Sequence, residues 1–344
     1  TLYILDEPSI GLHPRDSGRL VSILKRLRDN GNTVVVVEHD PEVIREADHV
    51  VDLGPGAGEH GGELLYAGPM SELAGCKRSL TADYLTGRRA IPVPAKRREG
   101  RGWIEIKGAR EHNLQGVDVR FPVGALTCVT GVSGSGKSTL VEEILYRGVK
   151  RALGEPAGIP GAHEAITGVD GFARVVLVDQ EAIGTTPRAN LLTYMKAYDP
   201  IRKLFAAADL ARLRAYTPST FSFNVEGGRC EVCRGEGFEK VEMQFLSDVY
   251  VPCPECAGAR FRAEVLEVTV RGKSIHDVLQ MTVTEAIEFF AASNEIRAAV
   301  EPLAAVGLEY MRLGQPLTTL SGGEAQRLKL ASHISQGTLH PSFP

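Results

Sequence analysis

The chain has no long hydrophobic run, which limits the function classes that it can belong to. No apolar stretch in its 344 residues approaches the roughly 20 residues that a membrane-spanning helix needs. The chain also does not open with the charged, apolar and small-residue regions of a secretory signal peptide. We therefore predict a protein without a membrane partner.

Cysteine is scarce, and neither sign of charge dominates. Six cysteines are too few for a disulfide scaffold in a chain of this length, and four of them form C-x-x-C pairs. That usage is typical of a reducing cytoplasm, so we predict a cytoplasmic location. The formal net charge of −4 does not by itself indicate a nucleic-acid partner.

The remaining composition fits a globular protein. A hydrophobic fraction of 43% is normal for a folded core, and 344 residues predict two or three domains. The chain begins with Thr1 inside a strand-like run and without a methionine. We expect this N-terminus to be a cut or missing start.

A phosphate-binding loop is the strongest signal in the sequence. Residues 131–139, GVSGSGKST, fit the pattern G-x-x-x-x-G-K-[ST]. An apolar run predicts a strand at 126–130, and the spacing of leucine and isoleucine predicts a helix over 140–153. In that context the glycine amides and the helix N-terminus surround a phosphate, Lys137 reaches the β- and γ-phosphates, and Ser138 binds Mg²⁺. An ordinary Gly/Ser turn is the disfavoured alternative.

Carboxylates at the end of an apolar strand form a second signal. The run TLYILDE predicts a strand that ends in Asp6 and Glu7. In phosphate-loop ATPases such a strand places an aspartate at the Mg²⁺ shell, and a following glutamate can polarise the attacking water. A strand that ends in a solvated acidic turn explains the same residues.

A histidine ends the next predicted strand. The sequence predicts a helix over 17–29, then a β-branched strand over 33–37 that leads into Glu38-His39-Asp40. A histidine at such a strand end can position or sense a γ-phosphate. Taken alone, it is more often a structural hydrogen bonder.

Two later segments are further candidates for nucleotide contacts. Gln180 follows an apolar run at 175–178, which predicts a strand, and can reach Mg²⁺ or the lytic water; an exposed loop residue is the alternative. The segment LSGGEAQR opens a helix predicted over 324–334. Ser321 and Glu324 fit a capping box, and the same hydroxyl and glycine amides can cradle a γ-phosphate presented by a partner subunit. The predicted nucleotide contacts are Gly131, Ser133, Gly134, Ser135, Gly136, Lys137, Ser138, Thr139, Gln180, Ser321, Gly322, Gly323 and Glu324.

Two C-x-x-C pairs form a strong metal signal. Cys230 and Cys233 are separated from Cys253 and Cys256 by 19 residues that include a hairpin predicted over 238–251. Four thiolates in this arrangement are typical of a tetrahedral Zn²⁺ site. An iron–sulfur cluster and redox dithiols are the alternatives.

These segments together resemble the UvrA family of bacterial nucleotide excision repair, within the ATP-binding-cassette superfamily. The resemblance extends from residue 1 to about residue 332 and is carried by DEPSIGLHPRD, VVVEHD, VDLGPGAGEHGG, GAREHNL, CVTGVSGSGKSTL, FSFNVEGGRCEVC, DVYVPCPEC and LSGGEAQRLKLA. The cassette motifs are widely shared, whereas the cysteine module between loop and signature is specific to UvrA-like proteins.

The resemblance implies an α/β fold, with an ATP-binding cassette that carries a zinc-module insertion. Residues 1–75 would be the C-terminal part of a preceding cassette, with its Walker B pair and switch histidine. The basic, proline-containing stretch 76–102 would be a linker, with contact to a phosphate backbone as an alternative. Residues 103–344 would form a second cassette without Walker B, and its zinc module would span about 225–262.

The resemblance also assigns roles to single residues. Glu7 and His39 become catalytic residues of the first cassette, and Gln180 becomes the Q-loop residue of the second. The implied cofactors are ATP, Mg²⁺ and Zn²⁺. The implied Mg²⁺ ligands are Asp6, Ser138 and Gln180, and the implied Zn²⁺ ligands are Cys230, Cys233, Cys253 and Cys256.

The implied function is an ATPase that recognises damaged double-stranded DNA, forms a homodimer and loads a UvrB-like protein. DNA is implied by the resemblance only, because acids offset the basic residues around the cysteines. A non-catalytic fragment that binds zinc and nucleotide is one alternative. A cassette ATPase of a transporter or translation factor is another, which the zinc module disfavours.

Three features depart from the family pattern. The Q-loop reads DQEAIG where the family usually reads DQSPIG, and the residues from His333 onward leave the pattern. A first Walker A loop, a first signature, the UvrB-binding region and a second Walker B strand are missing, so we expect an internal fragment or a truncated product. We also hypothesise that the strand at 2–6 inserts beside the strand at 126–130, which would bring Asp6 near Ser138.

Overall fold

The structure, a computed structural model, describes residues 1–179, 181, 183–184, 186–241, 243 and 249–335. The chain divides into two units, Thr1–Leu177 and Val178–Pro344. Each unit combines helices with strands, as expected of an α/β fold. None of the described helices is both long and apolar enough to span a membrane.

The strands of the described residues form five small sheets. β1 pairs with β2 in parallel, and β5 lies between β6 and β7 in an antiparallel sheet. The other three sheets are the antiparallel pairs β3–β4, β8–β9 and β10–β11. The strands are β1 (Leu2–Asp6), β2 (Thr33–Val37), β3 (His49–Gly54), β4 (Glu63–Pro69), β5 (Trp103–Ala109), β6 (Val117–Pro122), β7 (Ala165–Thr167), β8 (Phe238–Val241), β9 (Val249–Pro252), β10 (Thr269–Val270) and β11 (Lys273–Ser274).

Apart from the 16-residue helix at Pro14–Asp29, the α-helices are short in both units. Three further segments are 3₁₀-helical, Gly58–His60, Met70–Gly75 and Leu317–Thr319, and a π-helix covers Thr139–Tyr146. The α-helices are α1 (Pro14–Asp29), α2 (Pro41–Arg45), α3 (Leu80–Leu85), α4 (Arg147–Ala152), α5 (Leu191–Tyr194), α6 (Tyr198–Ala206), α7 (Asp209–Leu213), α8 (Ala263–Leu266), α9 (Ile275–Gln280), α10 (Val283–Phe289), α11 (Asn294–Ala305) and α12 (Gly322–His333).

The first helix connects the two parallel strands β1 and β2. It begins at Pro14, earlier than the predicted residue 17, because the His13 side chain accepts a hydrogen bond from the Arg15 amide at 3.2 Å. A proline at the first helical position has the backbone angle that a helix needs, which extends the helix by a turn. The predicted strand at 33–37 is confirmed as β2.

A small apolar core supports the segment around the phosphate loop. Ile106 of β5, Phe121 of β6 and Ile144 of the π-helix are buried together, and Ile144 is fully inaccessible. The predicted helix over 140–153 is confirmed as a helical segment, although its first part is a π-helix and only its second part is α4. The sheet and the helix that follows the loop therefore share one core.

Two predicted strands do not form. Residues 126–130 and 175–178, all of them described, have no strand pairing, and Leu126 is 96% exposed. A parallel strand is stable only where neighbouring strands satisfy its backbone groups and cover its faces. β1 pairs with β2 and not with 126–130. The strand predictions for both segments, and the hypothesis that β1 inserts beside 126–130, are therefore wrong.

The segment predicted as a linker, 76–102, contains the helix α3. The Ser79 hydroxyl is buried, donates a hydrogen bond to Asp52 of β3, and accepts one from the Ala82 amide at 2.8 Å. These contacts hold α3 against the β3–β4 pair. Residues 90–102 contain neither a helix nor a strand.

The core of the second unit is built from aromatic and aliphatic side chains of short helices and of the loops between them. Phe205, Phe221 and Phe223 are fully buried, and the Phe223 ring stacks on Tyr198 with centroids 4.9 Å apart. The helix α12 contributes Ala325, Leu328 and Ala331 to this core. The signature segment is therefore held on a buried helix face.

Candidate nucleotide-binding and metal sites

Glu7 and His39 lie side by side at the carboxyl ends of β1 and β2. Parallel pairing aligns Asp6 with Val37, and the Glu7 amide continues the ladder by donating to the Val37 carbonyl at 2.9 Å. The His39 Nε2 atom then lies 3.5 Å from the Glu7 Oε1 atom. The side chains are 83% and 44% exposed, respectively, so both are accessible to a ligand. The structure therefore brings the two predicted catalytic residues together.

Glu38, which the sequence reasoning did not single out, ties this pair to the loop after β1. Its carboxylate accepts hydrogen bonds from the amides of Ser9 at 2.8 Å, His39 at 2.9 Å and Asp40 at 3.2 Å. Partial burial by itself raises the pKa of Glu38, but these hydrogen bonds outweigh it and leave the pKa below its ordinary value. The carboxylate thus fixes the backbone on both sides of the Glu7–His39 pair.

The phosphate loop has the backbone that its glycines predict. Gly131, Gly134 and Gly136 adopt positive φ angles of 145°, 76° and 96°. The Lys137 Nζ atom folds over the loop and donates to the carbonyls of Gly131 at 2.8 Å and Val132 at 2.9 Å. Lys137 therefore lies where a phosphate oxygen can take over these hydrogen bonds, which is the position that the motif requires.

Residues of the GAREHNL segment pack against the loop. Asn113 donates to the Gly134 carbonyl at 2.9 Å. A Cβ atom on Gly136 would lie 2.9 Å from the Leu114 side chain and 3.0 Å from the Asn113 Oδ1 atom. In the sequence alone this segment is visible only as part of the family resemblance, and only the fold brings it into contact with the loop.

The signature segment forms a complete capping box. The Ser321 hydroxyl accepts from the Glu324 amide at 3.3 Å, and the Glu324 carboxylate accepts from the Ser321 amide at 2.9 Å. The Tyr310 hydroxyl donates to the other Glu324 oxygen at 2.6 Å. Partial burial raises the pKa of Glu324, but the hydrogen bonds from Tyr310 and Ser321 outweigh it and lower the pKa. No described residue lies within 4 Å of a Cβ built on Gly322 or Gly323, so this helix start is open to a ligand.

Lys329 of α12 holds the backbone beside the predicted Q-loop. Its ammonium group donates to the Asp179 carboxylate and to the Glu181 carbonyl, the latter at 2.7 Å. The hydrogen bond from Lys329 is the largest cause of the lowered pKa of Asp179. Gln180, between these residues, lies outside the described residues. The lysine is visible in the sequence only as part of LSGGEAQRLKLA.

The four predicted metal ligands form one cluster. The Sγ atoms of Cys230 and Cys253 lie 3.9 Å apart, those of Cys233 and Cys256 lie 3.6 Å apart, and all four lie within 4.8 Å of one another. A tetrahedron with metal–sulfur bonds of about 2.3 Å has edges of about 3.8 Å. The cysteines are free and not disulfide-bonded, so the cluster has the size of a single tetrahedral metal site.

Backbone amides around this cluster point at the sulfur atoms. The Gly237 amide donates to the Cys233 Sγ atom at 3.2 Å, and the Arg260 amide donates to the Cys256 thiol. Burial raises the pKa of Cys256 to about 12, so that thiol remains protonated unless a cation lies beside it. The donor set and its hydrogen bonds therefore fit a bound cation.

The geometry matches known proteins over nearly the whole chain. No protein-family model matches the sequence. The chain is 55% identical over 336 residues to the UvrABC system protein A of Clostridium perfringens, covering 97% of this chain and 36% of the relative. The corresponding protein of Listeria monocytogenes is 52% identical over 343 residues, covering 99% of this chain and 36% of the relative. The crystal structure of UvrA2 from Deinococcus radiodurans matches with a TM-score of 0.90 and 51% identity, over 97% of this chain and 40% of that chain.

The chain matches a segment of UvrA in sequence and in fold. It spans about a third of the length of the curated UvrA relatives that it matches. The predicted resemblance and the predicted fold class, an α/β ATP-binding cassette with a cysteine module, are thereby confirmed. The predicted domain limits at 75, 102 and 103 differ from the boundary between the two units and stay predictions.

Proposed function

We propose that the chain is part of a UvrA-like ATPase that recognises damaged double-stranded DNA in nucleotide excision repair. The observation that supports this most strongly is the 51–56% identity to UvrA proteins over 97% of the chain. Because the chain spans only 35–40% of those relatives, the activity of the intact protein is inferred from the resemblance.

The residues of the phosphate loop would bind ATP. The amides of the glycines and the Lys137 ammonium would bind the phosphate oxygens, in place of the carbonyls that Lys137 now contacts. Ser138 and Gln180 of one cassette, and Asp6 of the other, would hold Mg²⁺, which neutralises charge on the phosphates. Ser321, Gly322, Gly323 and Glu324 would meet the γ-phosphate of a partner cassette.

The Glu7–His39 pair would act on the attacking water. The Glu7 carboxylate would accept its proton as a general base, and the His39 ring, 3.5 Å away, would orient the carboxylate and the γ-phosphate. Side chains that are 44% and 83% exposed are free to turn toward a substrate. A purely structural role for His39 is less favoured because its ring is so exposed.

The cysteine cluster would hold one Zn²⁺ ion through Cys230, Cys233, Cys253 and Cys256. Sulfur–sulfur distances of 3.6 and 3.9 Å fit a single ion, whereas an iron–sulfur cluster places several metal atoms between the cysteines. When bound, zinc would contribute folding energy, because its ligands come from two separate knuckles. We also propose, from the resemblance alone, a homodimer and a UvrB-like protein partner.

A second function is favoured by one specific observation. Residues 126–130 form no strand, and β1 does not pair beside the phosphate loop. A chain with this arrangement would bind ATP and zinc without rapid hydrolysis. The two functions differ in ATP turnover and agree in nucleotide binding.

The proposed function is tested by titrating the purified chain with ATP and Mg²⁺. Loss of the Lys137 ammonium in Lys137→Ala removes a charge-assisted contact, so ATP affinity should fall by about 10-fold or more. Arg151→Ala, on the exposed face of α4, is the control and should bind as the wild type does. Equal ATP affinity of Lys137→Ala and wild type would refute the nucleotide site.

DNA recognition needs a separate test. The chain should bind a duplex with a bulky lesion more tightly than the undamaged duplex, and its affinity for both should fall as salt rises. Binding that does not depend on salt, or equal affinity for the two duplexes, would contradict damage recognition by this segment. ATP turnover in the same preparation distinguishes the two functions.

A further inference from the structure

A buried arginine lies against the cysteine cluster. Arg260 is 7% exposed, and its backbone contacts two of the four cysteines. The Cys230 amide donates to the Arg260 carbonyl at 2.9 Å, and the Arg260 amide donates to the Cys256 sulfur. The backbone of Arg260 is therefore part of the loop that follows Cys256, directly beside the cysteine cluster.

Among the described residues, no acid forms an ion pair with the guanidinium group, although a buried cation normally requires one. It lies over the Phe223 ring at 5.4 Å and donates through Nη2 to the Gly314 carbonyl at 3.2 Å. The Nη1 atom is buried and has no hydrogen-bond partner among the described residues. Leaving a buried charge without compensation is costly, so a negative charge close to the group is expected.

Four groups in the described part of the chain interact favourably with this charge: Tyr198 first, then Cys233, Cys256 and Glu236. Burial raises the pKa of the Tyr198 hydroxyl, so this group stays neutral and supplies no negative charge. The Glu236 carboxylate already forms an ion pair with Arg188 at 3.2 Å, so its charge is shared between two arginines. A zinc ion bound by four thiolates carries a net charge of −2. The cluster in its metal-bound form therefore supplies the missing negative charge.

The same side chain connects the cluster to the helical part of its unit. Phe223 is fully buried in the core, and the Gly314 amide donates to the Leu279 carbonyl at 2.7 Å at the end of α9. Residues 312–316 then lead to the signature segment at Ser321. An arginine held by both contacts fixes the knuckles against this scaffold.

We propose that Arg260 is a positioning residue of the metal centre, whose guanidinium balances the charge of the four metal-bound thiolates and anchors them to Phe223 and Gly314. The inference rests on the proposed zinc site. Its distinctive consequence is that the side chain stabilises the metal-loaded protein more than the metal-free protein. A role in packing alone would stabilise both equally.

The test compares zinc affinity, measured by competition with a chromophoric chelator, in four forms of the chain. Arg260→Met removes the charge at similar length, and zinc affinity should fall by about 10- to 100-fold, as for other outer-sphere substitutions. Arg260→Lys retains the positive charge but lacks the planar guanidinium group, so its zinc affinity should fall less than that of Arg260→Met. Arg271→Met is the matched control, because Arg271 likewise lies over an aromatic ring, that of Phe289 at 5.8 Å, and donates to a backbone carbonyl at 2.6 Å.

Thermal unfolding with and without metal separates the two roles. Arg260→Met should lower the unfolding temperature of the zinc-loaded chain more than that of the chelated chain, and Co²⁺ substituted for zinc should show an altered visible spectrum. Equal shifts with and without metal, or unchanged zinc affinity in Arg260→Met, would overturn the proposal. If the wild type itself binds no zinc, the proposed zinc site fails instead, so the two failures are distinguishable. If Arg260→Met does not fold, Arg260→Lys decides, and zinc affinity equal to that of wild type would contradict the anchoring role.

Discussion

The His39 Nε2 atom and the Glu7 Oε1 atom lie 3.5 Å apart, although 32 positions separate the two residues in the chain. The contact arises because β1 and β2 run parallel and end at the same level, so the residues after them meet at one sheet edge. Such an edge is where open α/β sheets bind their ligands. The two side chains are therefore close enough for one ligand to contact both.

The first prediction concerns ATP turnover in any hydrolysing assembly of this chain. Glu7→Gln and His39→Ala should each lower the turnover number by about 10²- to 10⁴-fold, the range for loss of a general acid–base group. In the proposed mechanism the two residues act on the same proton transfer, so the double variant should be little slower than the slower single variant. Effects that multiply would show that the residues act independently.

Glu38 gives a second prediction, on pH dependence. Its pKa is lowered in the folded chain, so the stability that the carboxylate contributes is present above the ordinary pKa of a glutamate. That stability is lost as the pH falls through the lower, folded-state pKa. Glu38→Gln should therefore unfold at a lower temperature at pH 7 and show a smaller decline below pH 5. Glu42→Gln, on the exposed start of α2, is the control. Parallel pH profiles for wild type and Glu38→Gln would contradict this role.

Sequence patterns predicted the structure correctly where the stabilising contacts lie within the same short segment. The β-branched run of β2, the cysteine knuckles and the capping box at Ser321 depend on neighbouring residues, and the structure contains each of them. The run at 126–130 is equally apolar, but a buried parallel strand depends on strands supplied elsewhere. Its strand was therefore predicted in error.

Contacts between residues far apart in the chain could not be predicted from the sequence. Arg260 looks like an ordinary basic residue after a cysteine knuckle, and only the fold places it over Phe223 and beside Gly314. Lys329 reads as a polar position on a helix, yet its ammonium group reaches 150 residues back to Asp179. Such contacts by long, flexible side chains follow no regular spacing in the sequence, so the sequence cannot predict their partners.

Lys329 provides a third prediction, on local stability. Lys329→Met removes the hydrogen bonds to Asp179 and to the Glu181 carbonyl, so the backbone beside Gln180 should open more readily. Faster amide hydrogen exchange at Asp179 and Glu181 is expected, with exchange in α11 unchanged. Lys329→Arg, which retains the charge, should exchange at an intermediate rate. Unchanged exchange in Lys329→Met would show that these contacts do not hold the segment.

The last prediction separates backbone strain from steric exclusion in the phosphate loop. Gly134 and Gly136 both have positive φ angles, 76° and 96°, so alanine at either position strains the backbone by about 1–2 kcal/mol. Within the described part of the chain, a Cβ on Gly134 would meet nothing within 4 Å, whereas one on Gly136 would lie 2.9 Å from Leu114 and 3.0 Å from Asn113. Gly134→Ala is therefore the control for strain alone.

Gly136→Ala should lower both the unfolding temperature and the ATP affinity more than Gly134→Ala does. The extra loss arises because the added methyl group pushes the loop away from Asn113, which holds the Gly134 carbonyl at 2.9 Å. The double variant Gly136→Ala with Leu114→Ala creates space for the methyl group and should recover part of the ATP affinity. Equal losses in the two single variants, measured by ATP titration and thermal unfolding, would show that the GAREHNL segment does not support the loop.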